Sequence, residues 1–226
     1  MEAWTLVAHG APERAFALRS HPEPSPGPAQ VRIAVEGFGL NYADSMAVRG
    51  LYREAPPLPS VIGYEVVGRV EAFGADVPAD LLGKRVVAMT RFGGYAQQVV
   101  TDHRACAVIP EDMPLGVAAA LATQGATAWY AARVLCPLMP GERVLVHSAA
   151  GGVGQLLVQL AVDAGCEVVA LASGAEKCAH LERMGAQHVI DRTAVAYGAE
   201  VERRLHGQPV DVSFNAVGGS TYRTDM

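Results

Sequence analysis

The sequence predicts an α/β protein: a compact β-rich part over residues 1–114, then an incomplete doubly wound parallel sheet over residues 115–226. Three observations predict it. Short apolar runs separated by glycines and prolines fill the first half, as strands and turns do. From Leu115 onward the apolar period lengthens, and strand-like runs alternate with helix-like ones, as in βαβ units. Between two of those runs, Ala149-x-Gly151-x-x-Gly154 links the strand-like Val144-Leu145-Val146 to a helix-like run beginning at Gln155.

The elements follow in order. Residues 3–9 and 16–19 read as strands. The proline-dense residues 21–28 can be neither helix nor central strand. They are expected to be a surface loop, because apolar alternation resumes at once over residues 30–36. Glycines and Asn41 suggest a turn into a short helix ending at Gly50. Residues 61–71, 83–89 and 93–100 add strands, and almost no helix is expected before residue 110. Residues 115–122 and 127–135 are helical in composition. The helix after Gly154 is apolar nearly all round and should be buried on several sides, closed by Gly165. Then come a strand at 166–171, a helix at 175–185, a strand at 188–191, a polar helix at 197–206 and a strand at 210–214. Residues 220–226 look like the start of another helix.

Composition excludes several classes. At 226 residues, 50% hydrophobic and 18% charged, the chain can bury one large or two small cores and is not disordered. A formal charge of -5 without a basic block argues against nucleic acid. Cys106, Cys136, Cys166 and Cys178 are scattered and read as reduced, buried thiols. No apolar run is long enough to span a bilayer, and the first residues carry no secretory signature. A cytoplasmic protein is expected. Four parallel strands instead of the usual six, ordered 3-2-1-4-5-6, suggest a C-terminally truncated chain.

A strand, a tight glycine loop and a helix N-terminus together hold a dinucleotide diphosphate through backbone N–H groups. Candidate binding residues are therefore Ala150, Gly151, Gly152, Val153 and Gly154. Gly151 would admit phosphate, and Gly154 would let the helix approach the strand. An ordinary strand–helix turn would use the same glycines. NAD-binding chains place an acid about 20 residues past this loop. Here the second strand ends Leu171-Ala172-Ser173-Gly174, with Lys177 next and Arg192 after the third strand. A missing carboxylate with two cations nearby suits a 2′-phosphate, hence NADPH. The plainer reading makes Lys177 a solvated helix residue and Arg192 a loop cation.

Asn41-Tyr42-Ala43-Asp44, Gly50-Leu51-Tyr52, Gly63-Tyr64-Glu65, Gln124-Gly125-Ala126-Thr127, the glycine loop and Asn215-Ala216-Val217-Gly218 occur in one order along the chain. In these the chain resembles the medium-chain dehydrogenase/reductase superfamily, in its zinc-free quinone oxidoreductase branch that includes the vesicle amine-transport homologues. The resemblance implies a GroES-like β-domain, a Rossmann domain and NADPH. It implies Asn41 and Tyr52 as groups that line the catalytic site, Thr127 at the nicotinamide end, and Asn215 and Val217 skirting the nicotinamide. Simpler roles stand beside these: Asn41 as a helix cap, the tyrosines as core or rim, Thr127 as a helix N-terminal residue, 215–218 as a glycine-rich turn. Where zinc enzymes of the superfamily carry Gly-His-Glu, this chain has Gly63-Tyr64-Glu65, and no cysteine precedes Cys106, so no metal is expected. The implied reaction is hydride transfer to a quinone or an α,β-unsaturated carbonyl, in a full-length form that dimerises; the chain alone could be inactive. Two alternatives stay open: a non-catalytic nucleotide-binding or interaction protein that keeps the fold, and an enoyl reductase module of a larger multienzyme.

Overall fold

A computed structural model of the chain describes residues 1–225. They form two compact units, one over residues 1–123 and one from Gln124 onward. The first unit contains β1 (Glu2–Leu6), α1 (Pro12–Ala15), β2 (Phe16–Ser20), β3 (Gln30–Phe38), α2 (Tyr42–Val48), β4 (Ser60–Val61), β5 (Glu65–Phe73), β6 (Arg85–Met89), β7 (Gln98–Asp102), β8 (Cys106–Val108) and α3 (Leu115–Ala120). Its strands make two antiparallel sheets, ordered β2-β1-β4 and β7-β3-β5-β6-β8. This is the β-rich, GroES-like architecture.

β5 is covered on both faces. Val66 and Val70 pack with Val31, Ile33, Val86 and Val99 on one side. Val67 packs with Val87, Ile109 and Ala118 on the other. Burial on both faces is why β5 reads as a nearly continuous apolar run. Ala118 lies on α3 and packs in this core, and the compact first unit runs to Thr123.

Several elements differ from expectation. The strand expected over residues 3–9 stops at Leu6, and Pro12 opens the short helix α1, where its fixed φ and missing N–H cost nothing. The strand expected at residue 93 begins only at Gln98. The intervening N–H groups of Gly93, Gly94 and Tyr95 go instead to the carbonyls of Val61, Gly63 and Ile62, at 3.0, 3.2 and 2.9 Å. β8 was not anticipated; its three residues lie at a sheet edge and bury too little to leave a pattern. Residues 115–135 are helical throughout, with wide i→i+5 turns at Leu121–Gly125 and Ala131–Leu135 on either side of α4 (Ala126–Tyr130).

The second unit continues with β9 (Arg143–Val146), α5 (Gly152–Asp163), β10 (Glu167–Ala172), α6 (Ala175–Arg183), β11 (His188–Asp191), α7 (Tyr197–Arg204), β12 (Val212–Phe214) and α8 (Ser220–Asp225). Its four strands are parallel and ordered β11-β10-β9-β12. That is 3-2-1-4 in chain order, the first four strands of a Rossmann sheet. Val144, Val146, Val168 and Ala170 face Leu157, Val158 and Ala161 of α5 and Leu181 of α6. Leu145, Val169, Leu171 and Ile190 face Val201 and Leu205 on the other side. The helix expected to be polar, α7, is therefore amphipathic: Tyr197, Val201 and Leu205, four residues apart, make its inner stripe. Among the described residues no helix is long and apolar enough to cross a membrane.

Gly68 tests the packing of the first unit. A Cβ there would lie 2.1 Å from the Ala34 carbonyl oxygen and 2.7 Å from Ile33 Cγ2, atoms that cannot easily give way. Gly68→Ala should cost about 1–3 kcal/mol, read as a lower urea midpoint by circular dichroism; an unchanged midpoint would contradict this packing.

Candidate functional site

The turn from β9 into α5 is pinned to both neighbouring strands. His147 N–H donates to the Phe214 carbonyl at the end of β12 (3.0 Å), and Ala149 N–H to the Leu171 carbonyl in β10 (2.9 Å). Gly151 N–H closes the turn on the Ser148 carbonyl at 2.8 Å. Ser148 has φ +49°, a left-handed conformation uncommon outside glycine and asparagine. α5 then starts behind Gly151, which has no side chain to cap it. The first-turn N–H groups, of Gly152, Val153 and Gly154, have no partner within the helix by its geometry. They present a partial positive charge beyond the C-terminal edge of the sheet. Gly154 makes this approach possible: a Cβ would sit 2.3 Å from the Ser148 carbonyl oxygen and 2.8 Å from Ala149 Cα.

Beside this turn lies a cavity of about 200 Å³, lined by Ser148, Ala150, Gly151, Leu171, Ala172, Ser173, Lys177 and Arg192. It brings together five candidates from both ends of the loop argument: Ala150, Gly151, Ser173, Lys177 and Arg192. Neither cation is in an ion pair among the described residues. No carboxylate lines the cavity. The acid beside Arg192 in sequence, Asp191, is engaged elsewhere: it accepts from the hydroxyl and N–H of Thr193 and the N–H of Gly174. Those bonds, the Thr193 hydroxyl first, hold its pKa below the usual carboxylate range.

Thr127, Asn215 and Val217 lie outside this cavity. Thr127 is exposed on α4. Asn215 follows β12, and its Oδ1 accepts the N–H groups of Val217 (3.0 Å) and Gly218 (2.9 Å), which fixes the turn. Its role as a turn-former is thus visible in the geometry.

In the first unit, Asn41 is the residue before α2. Its N–H donates to the Asp44 carboxylate at 2.9 Å, and its side-chain amide donates to Glu65 Oε1 at 2.9 Å. Glu65 is fully buried, and its other oxygen accepts the Thr123 N–H at 2.6 Å. Room for it comes from Gly39, where a Cβ would overlap Glu65 Oε1 at 2.0 Å. Tyr52 is half-buried and stands edge-on to Tyr64 at 5.9 Å between ring centres. Burial, with Tyr52 adjoining, pushes the Tyr64 phenol well above its ordinary pKa. Asn41 and Tyr52 are thus linked through the adjacent residues Tyr64 and Glu65. The sequence reading gave Glu65 no role, yet a lone acid ahead of Val66 and Val67 was a signal of a buried, paired carboxylate. Tyr42 is 76% exposed and belongs to the surface. Among the described residues no three His, Cys, Asp or Glu side chains group as metal ligands.

The chain is similar to known proteins over both compact units. The Alcohol dehydrogenase GroES-like domain family matches residues 27–132, and the Zinc-binding dehydrogenase family matches residues 152–226. A mycocerosic acid synthase-like polyketide synthase of Mycobacterium tuberculosis is 34% identical over 195 residues, 86% of this chain and 9% of that protein. Quinone oxidoreductase-like protein 2 of Rattus norvegicus is 36% identical over 197 residues, 87% of this chain and 56% of that protein. The chain thus spans only part of the curated relatives it matches. The structure of Escherichia coli quinone oxidoreductase complexed with NADPH superposes with a TM-score of 0.93 at 27% identity, covering 100% of this chain and 69% of that one. The two domain families in this order, the 3-2-1-4 sheet with its glycine turn, and these relatives make the chain a member of the medium-chain dehydrogenase/reductase superfamily, in the quinone oxidoreductase branch.

Proposed function

We propose that this chain carries the NADPH-binding part and the GroES-like domain of a zinc-independent oxidoreductase that reduces a quinone or an α,β-unsaturated carbonyl. The observation that carries the reading is the N-terminus of α5, which starts behind Gly151 without a side-chain cap from that residue and opens beside a cavity with Lys177 and Arg192 but no carboxylate. The residues fit a dinucleotide. Gly152, Val153 and Gly154 would give N–H groups to the diphosphate. Lys177 and Arg192, with Ser173, would hold a ribose 2′-phosphate that an acid at the end of β10 would repel. Thr127, Asn215 and Val217 would border the nicotinamide. NADPH, when bound, supplies the hydride.

The protein's own part is to orient and polarise the acceptor. Asn41 and Tyr52 are the proposed hydrogen-bond donors to the acceptor oxygen. Glu65 takes one amide hydrogen of Asn41 and so fixes how that amide is turned. No zinc is proposed. The Gly63-Tyr64-Glu65 stretch offers a phenol and a carboxylate committed to Asn41 and Thr123, not a convergent ligand set. Similarity to the solved CurK enoyl reductase favours one second reading, an enoyl reductase module; it would use the same residues for the same hydride chemistry.

Fluorescence titration of this chain tests the cofactor half: NADPH should bind more tightly than NADH. Lys177→Ala should weaken NADPH about tenfold, the loss of one charge-assisted hydrogen bond, while leaving NADH nearly unchanged. Equal affinity for the two cofactors in the unaltered chain would refute the 2′-phosphate assignment. For the donor role, Tyr52→Phe should lower kcat for quinone reduction by about tenfold or more, with the NADPH Kd unchanged. Unaltered kcat would remove Tyr52 from the site.

A further inference from the structure

Asp225 in α8 is a group that neither the sequence reading nor the proposed chemistry uses. Its side chain is 6% exposed, and that of His147 beside it is 1% exposed. Four side chains donate to this one carboxylate. His147 Nε2 lies 2.9 Å from Oδ2 and 3.1 Å from Oδ1, and the Tyr197 hydroxyl lies 3.0 Å from Oδ1. Ser213 Oγ and Asn215 Nδ2 reach Oδ2 at 2.7 and 2.8 Å. Burial alone would raise the carboxyl pKa, but the donors from Ser213, Asn215 and Tyr197, with His147, outweigh it and the net shift is downward. The carboxylate's lone-pair positions are essentially filled.

The donors come from particular places. His147 is the root of the strained turn at Ser148 that leads into α5. Asn215 is the root of the turn after β12, and its other amide atom holds Val217 and Gly218. β9 and β12 are parallel neighbours, Val146 opposite Phe214, so these two turns leave the sheet side by side. In the order β11-β10-β9-β12 the chain reverses direction of growth between β9 and β12. Ligands of open parallel sheets bind outside the strand ends at that reversal. Asp225 therefore ties together the roots of the two turns that leave the sheet at that reversal. Buried polar contacts to a carboxylate are a weak source of net stability, because desolvation offsets attraction. What this cluster supplies is a fixed spacing.

We propose that Asp225 is a positioning residue for the dinucleotide: it locks the turn after β9 and the turn after β12 in one arrangement, and thereby sets affinity for the diphosphate–nicotinamide half of the cofactor. The proposal rests on the NADPH reading above. It predicts an effect weighted toward the diphosphate–nicotinamide half: the Lys177–Arg192 cavity borders the turn after β9 through Ser148, Ala150 and Gly151 but contains none of the four donors and no residue of the turn after β12.

The test is equilibrium binding to this chain of two probes, NADPH and adenosine 2′-monophosphate, for the unaltered protein, Asp225→Asn and Asp225→Ala. NADPH affinity should fall about tenfold or more in both variants, as expected for lost hydrogen bonds to a charged group, while adenosine 2′-monophosphate binding stays within about twofold. A merely structural role would lower both probes together, and that result, or unchanged NADPH affinity, overturns the proposal. Ser213→Ala and Tyr197→Phe each remove one donor and keep Asp225. They should weaken NADPH by a smaller factor with the same selectivity, and no loss in either would also overturn it. If the unaltered chain binds neither probe, the NADPH reading itself fails; binding of both probes in the unaltered chain, with no selective loss in the variants, defeats the role of Asp225 alone.

Discussion

The close approach of α5 to the turn before it is the constraint on which the second unit depends. The Ser148 carbonyl oxygen and Ala149 Cα occupy the space a side chain at position 154 would need. Only with that space empty can the helix begin immediately behind Gly151, which brings no capping side chain of its own. The same turn is bound to β10 through Ala149 and to β12 through His147. The first-turn N–H groups of α5 are therefore positioned by two strands and a helix. A preformed donor array of this kind pays little ordering cost when an anion arrives.

The first unit solves a different problem with a similar device. A fully buried carboxylate is expensive unless its acceptor positions are filled. Glu65 is filled by the Asn41 amide and the Thr123 N–H, and Gly39 vacates the volume it occupies. The result is a side-chain amide turned one way at the start of α2. In both units a glycine makes room, and a hydrogen bond to a rigid partner fixes a polar group.

How much of this the sequence disclosed follows from what each element buries. β9, β10 and β11 are apolar and each is bounded by glycine or a turn, so the parallel sheet was readable, as was the glycine turn. The Lys177 and Arg192 pair could be named because an acid was missing from Leu171-Ala172-Ser173. β8 escaped notice because an edge strand of three residues leaves no alternation. Residues 93–97 misled because their apolar and glycine content suits a strand, while their N–H groups are spent on residues 61–63. The inner face of α7 was hidden by its charged outer face, Glu200, Glu202, Arg203 and Arg204. His147 and Asp225 were invisible as a pair, because 78 residues separate them and only the adjacency of β9 and β12 brings them together.

The central claim is that a diphosphate seats on the first turn of α5. A crystal structure of this chain grown with NADPH tests it most directly. The account predicts diphosphate oxygens within hydrogen-bonding distance of the N–H groups of Gly152, Val153 or Gly154, with the adenine ribose toward Lys177. A diphosphate bound anywhere else on the chain would contradict it.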